Sequence, residues 1–258
     1  MKKISVIVFV VLLFILPLIG LIPGEWSWNP RLEATLGTTV AMICAVVLLN
    51  HLFGYMAGKA IAFQTGKRVR VAEFLISLPL FVPVLLLSFG LYLTWIRLGL
   101  ADRFFGVLLV LLLPTLPYTV RLYTNGFQAL GERMLEQMVL IEENRFKRWF
   151  YLTGPMLRST LQSVTLLVTV ITISQYALVA LIGGGIVRMI ALEVFPAYSG
   201  NSQEAARLAT LWLIGLPVLF YALQAVIFSS WIRIVRRRLN GSHDTTSQYT
   251  IWNEACII

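Results

Sequence analysis

His51 is the one titratable side chain at depth in an apolar stretch of the chain, and an imidazole there can serve substrate binding, proton transfer or a hydrogen bond to a neighbouring helix. Two cysteines, Cys44 in an apolar run and Cys256 near the end, are too few for a disulfide framework or a metal site. A lone His without a visible partner reads as a neutral imidazole hydrogen-bonded to a neighbouring helix. All twelve acidic residues fall in loops, in the tail or at helix ends. The intramembrane carboxylates of proton-coupled carriers and membrane hydrolases are therefore missing. Gly66 precedes Lys67, but without the upstream glycine and following hydroxyl of a phosphate loop the pair makes no nucleotide site. What remains is neutral and polar: Thr169, Thr172, Ser174 and Gln175 lie within seven residues, and Ser88 stands in another apolar run. A Gln amide facing lipid has no partner, so this face points into a bundle, as helix glue or as lining for a translocation path. No catalytic residue, metal or cofactor is expected.

The elements that carry these groups follow from composition. Of 258 residues, 58% are hydrophobic and 13% charged, against about a quarter charged in soluble domains. With a mean hydropathy of +0.81, one globule cannot hide the apolar excess, and lipid must be its solvent. About 20 mostly apolar residues cross the hydrocarbon as a helix. Six stretches qualify, at about 4–22, 36–63, 72–96, 104–122, 157–182 and 207–232. The expected fold is all-α, a polytopic membrane bundle of six helices. Lys2 and Lys3 before the first run resemble a signal peptide, but its length and the lack of a small-x-small cleavage site favour a retained helix.

The net charge of +9 comes in short clusters between apolar runs, which argues against nucleic acid as a partner. With the N-terminus inside, sixteen Lys and Arg fall on one side of the membrane and five, Arg31, Arg97, Arg103, Arg188 and Arg207, on the other. The bias puts both termini in the cytoplasm. Outside, 184–206 is the longest loop, and Asn201 with Glu204 resembles a capping box for the sixth helix. The glycines Gly183, Gly184 and Gly185 read as a helix stop. Pro79, Pro83, Pro114 and Pro117 are expected to kink spans three and four. The chain divides into 1–33, a first helix and outer loop; 34–238, the core; and 239–258, a polar tail expected to be disordered.

Inside, the segment 121–158 is long and amphipathic. From Glu132 to Arg158 it reads ERMLEQMVLIEENRFKRWFYLTGPMLR, with apolar Leu135, Met138, Val139 and Ile141, then Phe146, Trp149, Phe150 and Leu152, at helical spacing. Two short amphipathic helices are expected, and their aromatics need a surface to cover them.

This segment resembles the cytoplasmic loop of binding-protein-dependent ABC importer permeases, whose pattern is E-A-A, three residues, G, nine residues, I-x-L-P. The matching positions are Glu136, Gln137 and Met138, then Glu142, then Leu152, Thr153, Gly154 and Pro155. Glu136, Leu152 and Pro155 fit. Both alanines and the glycine are replaced, and Gly154 stands for the second aliphatic. The loop falls between spans four and five of six, as in that family, and LIGGG near the end of span five is a further similarity.

The resemblance implies a pore subunit of a bacterial inner membrane without enzymatic activity of its own. It would work with ABC ATPase subunits, a second permease, identical or different, and a periplasmic solute-binding protein, within a lipid bilayer. The loop would act as a coupling helix, with Glu136, Gln137, Met138, Glu142, Phe146, Trp149, Leu152, Gly154 and Pro155 as its residues. Glu142 would resist the positive φ open to glycine, so the local bend must differ from the family's. A secondary carrier or channel working without an ATPase is the alternative reading.

Overall fold

The computed structural model describes residues 30–199 and 203–241, with no strand among them. Helix α1 (Pro30–Ala62) opens on a proline, whose fixed φ and missing N–H suit a first turn, and carries Glu33 near its start and Lys59 near its end. Then come α2 (Lys67–Ser77), a short 3₁₀ turn (Leu78–Leu80), α3 (Val84–Leu98), α4 (Phe104–Leu130) and α5 (Glu132–Ile141). A bent segment follows: α6 (Arg145–Arg148), a π-helical turn (Trp149–Thr153) and α7 (Gly154–Met156). After it are α8 (Arg158–Ser174), α9 (Tyr176–Ile182), α10 (Ile190–Ser199) and α11 (Gln203–Gly241).

Among the described residues, three helices are long and apolar enough to cross a membrane: α1 over Leu32–Ala62, α4, and α11 over Ala206–Val235. The other two expected spans within the described residues are broken. The span at 72–96 is interrupted around Pro79 and Pro83, leaving α3 at 15 residues, about 22 Å and short of a hydrocarbon core. The span at 157–182 stops at Gln175, whose ψ of 57° takes it out of the helical region. Pro114 and Pro117, by contrast, lie inside an unbroken α4. There the Thr115 and Thr119 hydroxyls bond to carbonyls one turn back, at 2.9 Å and 3.1 Å, and neighbouring helices can hold such a helix together. Helix α4 also runs on past Arg121 to Leu130. The first span at 4–22, Asn201 of the expected capping box and the tail from 242 onward lie outside the described residues.

The chain packs as two units. Among the described residues, one comprises 30–44, Val84–Leu109, 173–199 and 203–217. Within it α3 lies against α9, the Asp102 amide donates to the Ile182 carbonyl at 2.9 Å, and the Ile190 amide donates to Thr39 Oγ1 at 2.9 Å. Helix α9 ends where the sequence places its stop, since Gly184 and Gly185 have φ of 52° and 75°. The side chain that another residue would carry at Gly184 is displaced by the Asp102 carboxylate.

The second unit comprises, among the described residues, Ala45–Pro83, Val110–Thr172 and 218–241. Its core centres on Tyr123 and Phe127 of α4, both almost fully buried, with Tyr55 of α1 edge-on to each. Gly54 and Gly58 let α1 approach α4 so closely that a Cβ at Gly58 would collide with Tyr123. This is the small-residue spacing by which membrane helices bring backbones together. Asn50 completes the contact, donating to Thr115 Oγ1 at 2.9 Å and accepting from Thr119 Oγ1 at 2.9 Å.

Candidate functional site

Two groups of residues in the second unit are candidates for function: a buried polar set on the long helices, and the bent segment from α5 to α7.

His51 lies between two neighbouring helices, Nδ1 at 2.6 Å from the Tyr123 hydroxyl and Nε2 at 2.9 Å from Thr165 Oγ1. Gln224 of α11 donates to the same Thr165 oxygen at 2.8 Å and to the Leu161 carbonyl at 3.1 Å. Thr165 itself donates to Leu161 at 3.1 Å. Counting hydrogens assigns the tautomer. If the Thr165 proton goes to Leu161, His51 must donate from Nε2 and accept from Tyr123 at Nδ1, and every printed bond then has one donor. His51 is thus hydrogen-bonded to its neighbours, as expected of a lone histidine, but the set extends to Gln224 and joins four helices. Sequence reading missed Gln224 and Thr165. Their spacing carries no signal, because the partners are more than 50 residues apart.

The polar residues of the fifth apolar stretch divide. Thr169 and Thr172 are fully buried on the face of α8 that also carries Thr165, at i, i+4 and i+7. Their hydroxyls have no hydrogen-bond partner. Ser174 is exposed, and Gln175 is half-buried at the break before α9. Ser88, in the other unit, is buried and bonds to its own helix at the Val84 carbonyl, 2.7 Å away.

The inner segment is built in two layers. In α5, Met138 is buried and takes the Thr153 hydroxyl at its sulfur, 3.6 Å away. Glu136 and Gln137 are exposed, and Leu140 and Phe146 are 85% and 73% exposed. Glu142 ends α5 in extended conformation, φ −140°, so the bend needs no left-handed residue at the position where the family has glycine. The turn is closed instead by side chains. Asn144 caps α6 by accepting from the Phe146 and Lys147 amides at 3.0 Å and 3.3 Å, and Arg148 donates to the Glu142 carbonyl at 3.0 Å.

Trp149 faces its own chain, stacked on Trp231 of α11 with ring centroids 5.8 Å apart. Phe150 and Phe228 pack on the same indole at 5.2 Å and 5.3 Å. Leu152, Gly154 and Pro155 are buried. Of the coupling residues expected from the sequence, then, Glu136, Gln137 and Phe146 face outward, Glu142 is half-buried at the bend, and Met138, Trp149, Leu152, Gly154 and Pro155 hold the segment to the unit beneath it.

No family model matches the chain. It is 27% identical over 161 residues to the molybdenum transport system permease protein ModB of Azotobacter vinelandii, covering 56% of this chain and 70% of that one. The chain is similar to permease subunits of ABC importers. It is also 25% identical over 162 residues to the inner membrane ABC transporter permease protein YnjC of Escherichia coli strain K12, covering 63% of its own length and 32% of YnjC. It therefore spans about a third of that relative. With its long apolar helices, the permease is a multi-pass inner-membrane protein.

Proposed function

We propose that this permease forms half of the translocation path of an importer, with ABC ATPase subunits on its inner face, a second permease beside it and a periplasmic binding protein delivering a small solute. The observation that carries the reading is the inner segment between α4 and α8. It exposes two large apolar side chains, Leu140 and Phe146, and the charged residues Glu132, Arg133, Glu136, Glu143 and Lys147. Large exposed apolar side chains on an otherwise charged segment fit a docking surface better than a surface left to water. In this reading the chain has six spans, both termini cytoplasmic, a core at 34–238, and a path drawing on Ser88, Thr169, Thr172, Ser174 and Gln175.

ModB's cargo, molybdenum, makes molybdate the first solute to test. Cells deleted for the chain should lose binding-protein-dependent, ATP-dependent uptake and regain it with the wild-type gene. Uptake that persists when cellular ATP is depleted but the proton gradient is maintained would favour a secondary carrier instead.

A further inference from the structure

Trp231 sits where α11 meets the inner segment. Its indole touches three rings, Trp149, Phe150 and Phe228, with centroids 5.2–5.8 Å away. It also occupies the space of a side chain at Gly154, whose Cβ would collide with its Cη2 and come within 3.0 Å of its Cζ2. The indole N–H is buried with no partner. That burial is unfavourable, so ring contact must outweigh it. The backbone beneath the ring is unusual too: Trp149–Thr153 forms a π-helical turn, closed by the Gly154 amide bonding to the Trp149 carbonyl. Such turns carry one extra residue and re-aim the side chains around them. On the other side, Thr153 of the same turn holds Met138 of α5.

Much of helix α11 in this unit is exposed. Only 6% of its most apolar window is buried, and Val218, Leu223, Val226, Ile227 and Ile234 are exposed. Its attachments here include the Gln224 bonds to α8, the Trp231 cluster and the buried side chain of Val235.

We infer that Trp231, seated on Gly154, is the positioning residue through which movement of the α5 segment reaches α11. The path is contiguous: α5 through Met138 to Thr153, the π-turn through Trp149, Phe150 and Gly154 to Trp231. Contiguity alone is not coupling, so the test must read movement. The inference rests on the docking reading of α5.

The test uses the assembled transporter in inside-out membrane vesicles, with Cys44 and Cys256 replaced and Arg233→Cys as a reporter on exposed α11, labelled by a water-soluble maleimide. Trapping with ATP and vanadate should change the labelling rate of the reporter in the otherwise wild-type chain. If it does not, the docking reading fails and this inference with it. Where it does, Trp231→Ala should shrink that change about 2- to 30-fold, the range side chains along a coupling path command, while assembly and ATP hydrolysis persist. A merely structural role would lower assembly and leave the response of whatever assembles intact, and that outcome overturns the inference.

A second pair decides the matter if Trp231→Ala is not recovered. Gly154→Ala should damp the response by pushing on the outer indole atoms, and Trp231→Phe, which lacks them, should partly restore it in the double variant. Restoration stays partial because the Trp149 carbonyl remains 2.8 Å from the new methyl group. Equal damping in the single and double variants overturns the inference.

Discussion

Among single residues, the threonines of α8 show why burial and bonding must be read separately. Thr165, Thr169 and Thr172 share a face and are all buried. Thr165 Oγ1 meets three other residues, while the other two hydroxyls meet none. Thr165→Val should therefore lower the thermal stability of the detergent-solubilised permease, because it strands His51 and Gln224, by about 1–3 kcal/mol. Thr169→Val and Thr172→Val should leave it unchanged or raise it, since an isosteric methyl replaces an unpaired hydroxyl. Equal losses at all three positions would mean that Thr169 and Thr172 pair in the working protein. His51→Ala belongs with Thr165: it removes both ring bonds at once and should cost about as much, measured by the same melt.

Elements bring a different distinction, between residues that face outward and residues that only hold the element in place. Leu140→Ala with Phe146→Ala should reduce recovery of the ATPase with tagged permease and leave the melt of the isolated permease unchanged. Truncation of apolar anchors at an interface costs about 2 kcal/mol or more where they are central to it. Met138→Ala should do the reverse, lowering the melt first, since its sulfur and apolar stem are buried against Thr153. Unaltered ATPase recovery in the Leu140, Phe146 double variant would remove the docking surface. Gly58→Leu tests the closest approach of α1 to α4. Its side chain would meet the Tyr123 Cβ and the Thr124 amide, and because the latter is backbone the helices must separate. A permease that folds normally with Leu at 58 would contradict this packing.

For the whole molecule, the testable statement is topology. Cysteines introduced between 184 and 199 should label from the periplasm, and those between 128 and 148 only from the cytoplasm, as the sixteen-to-five distribution of basic residues requires. The opposite pattern would invert the protein and place α5 where no ATPase could reach it.

Composition and periodicity alone determine that this chain is helical and lives in lipid, because hydropathy is a sum over residues and needs no partner to be read. They also mark the inner segment, since a charged amphipathic stretch between apolar runs is a local pattern. Tertiary structure decided what each side chain of that segment does. Trp149 and Phe146 are both aromatic and three residues apart, yet one stacks on Trp231, 82 residues further along, and the other stands in the open. It likewise decided that the fifth apolar stretch breaks at Gln175, that Gly54 and Gly58 are contact points, and that Gly154 is a seat for an indole. In each case the reason is the same. A pairing between distant segments depends on the shape of both surfaces, and one stretch of sequence carries only one of them.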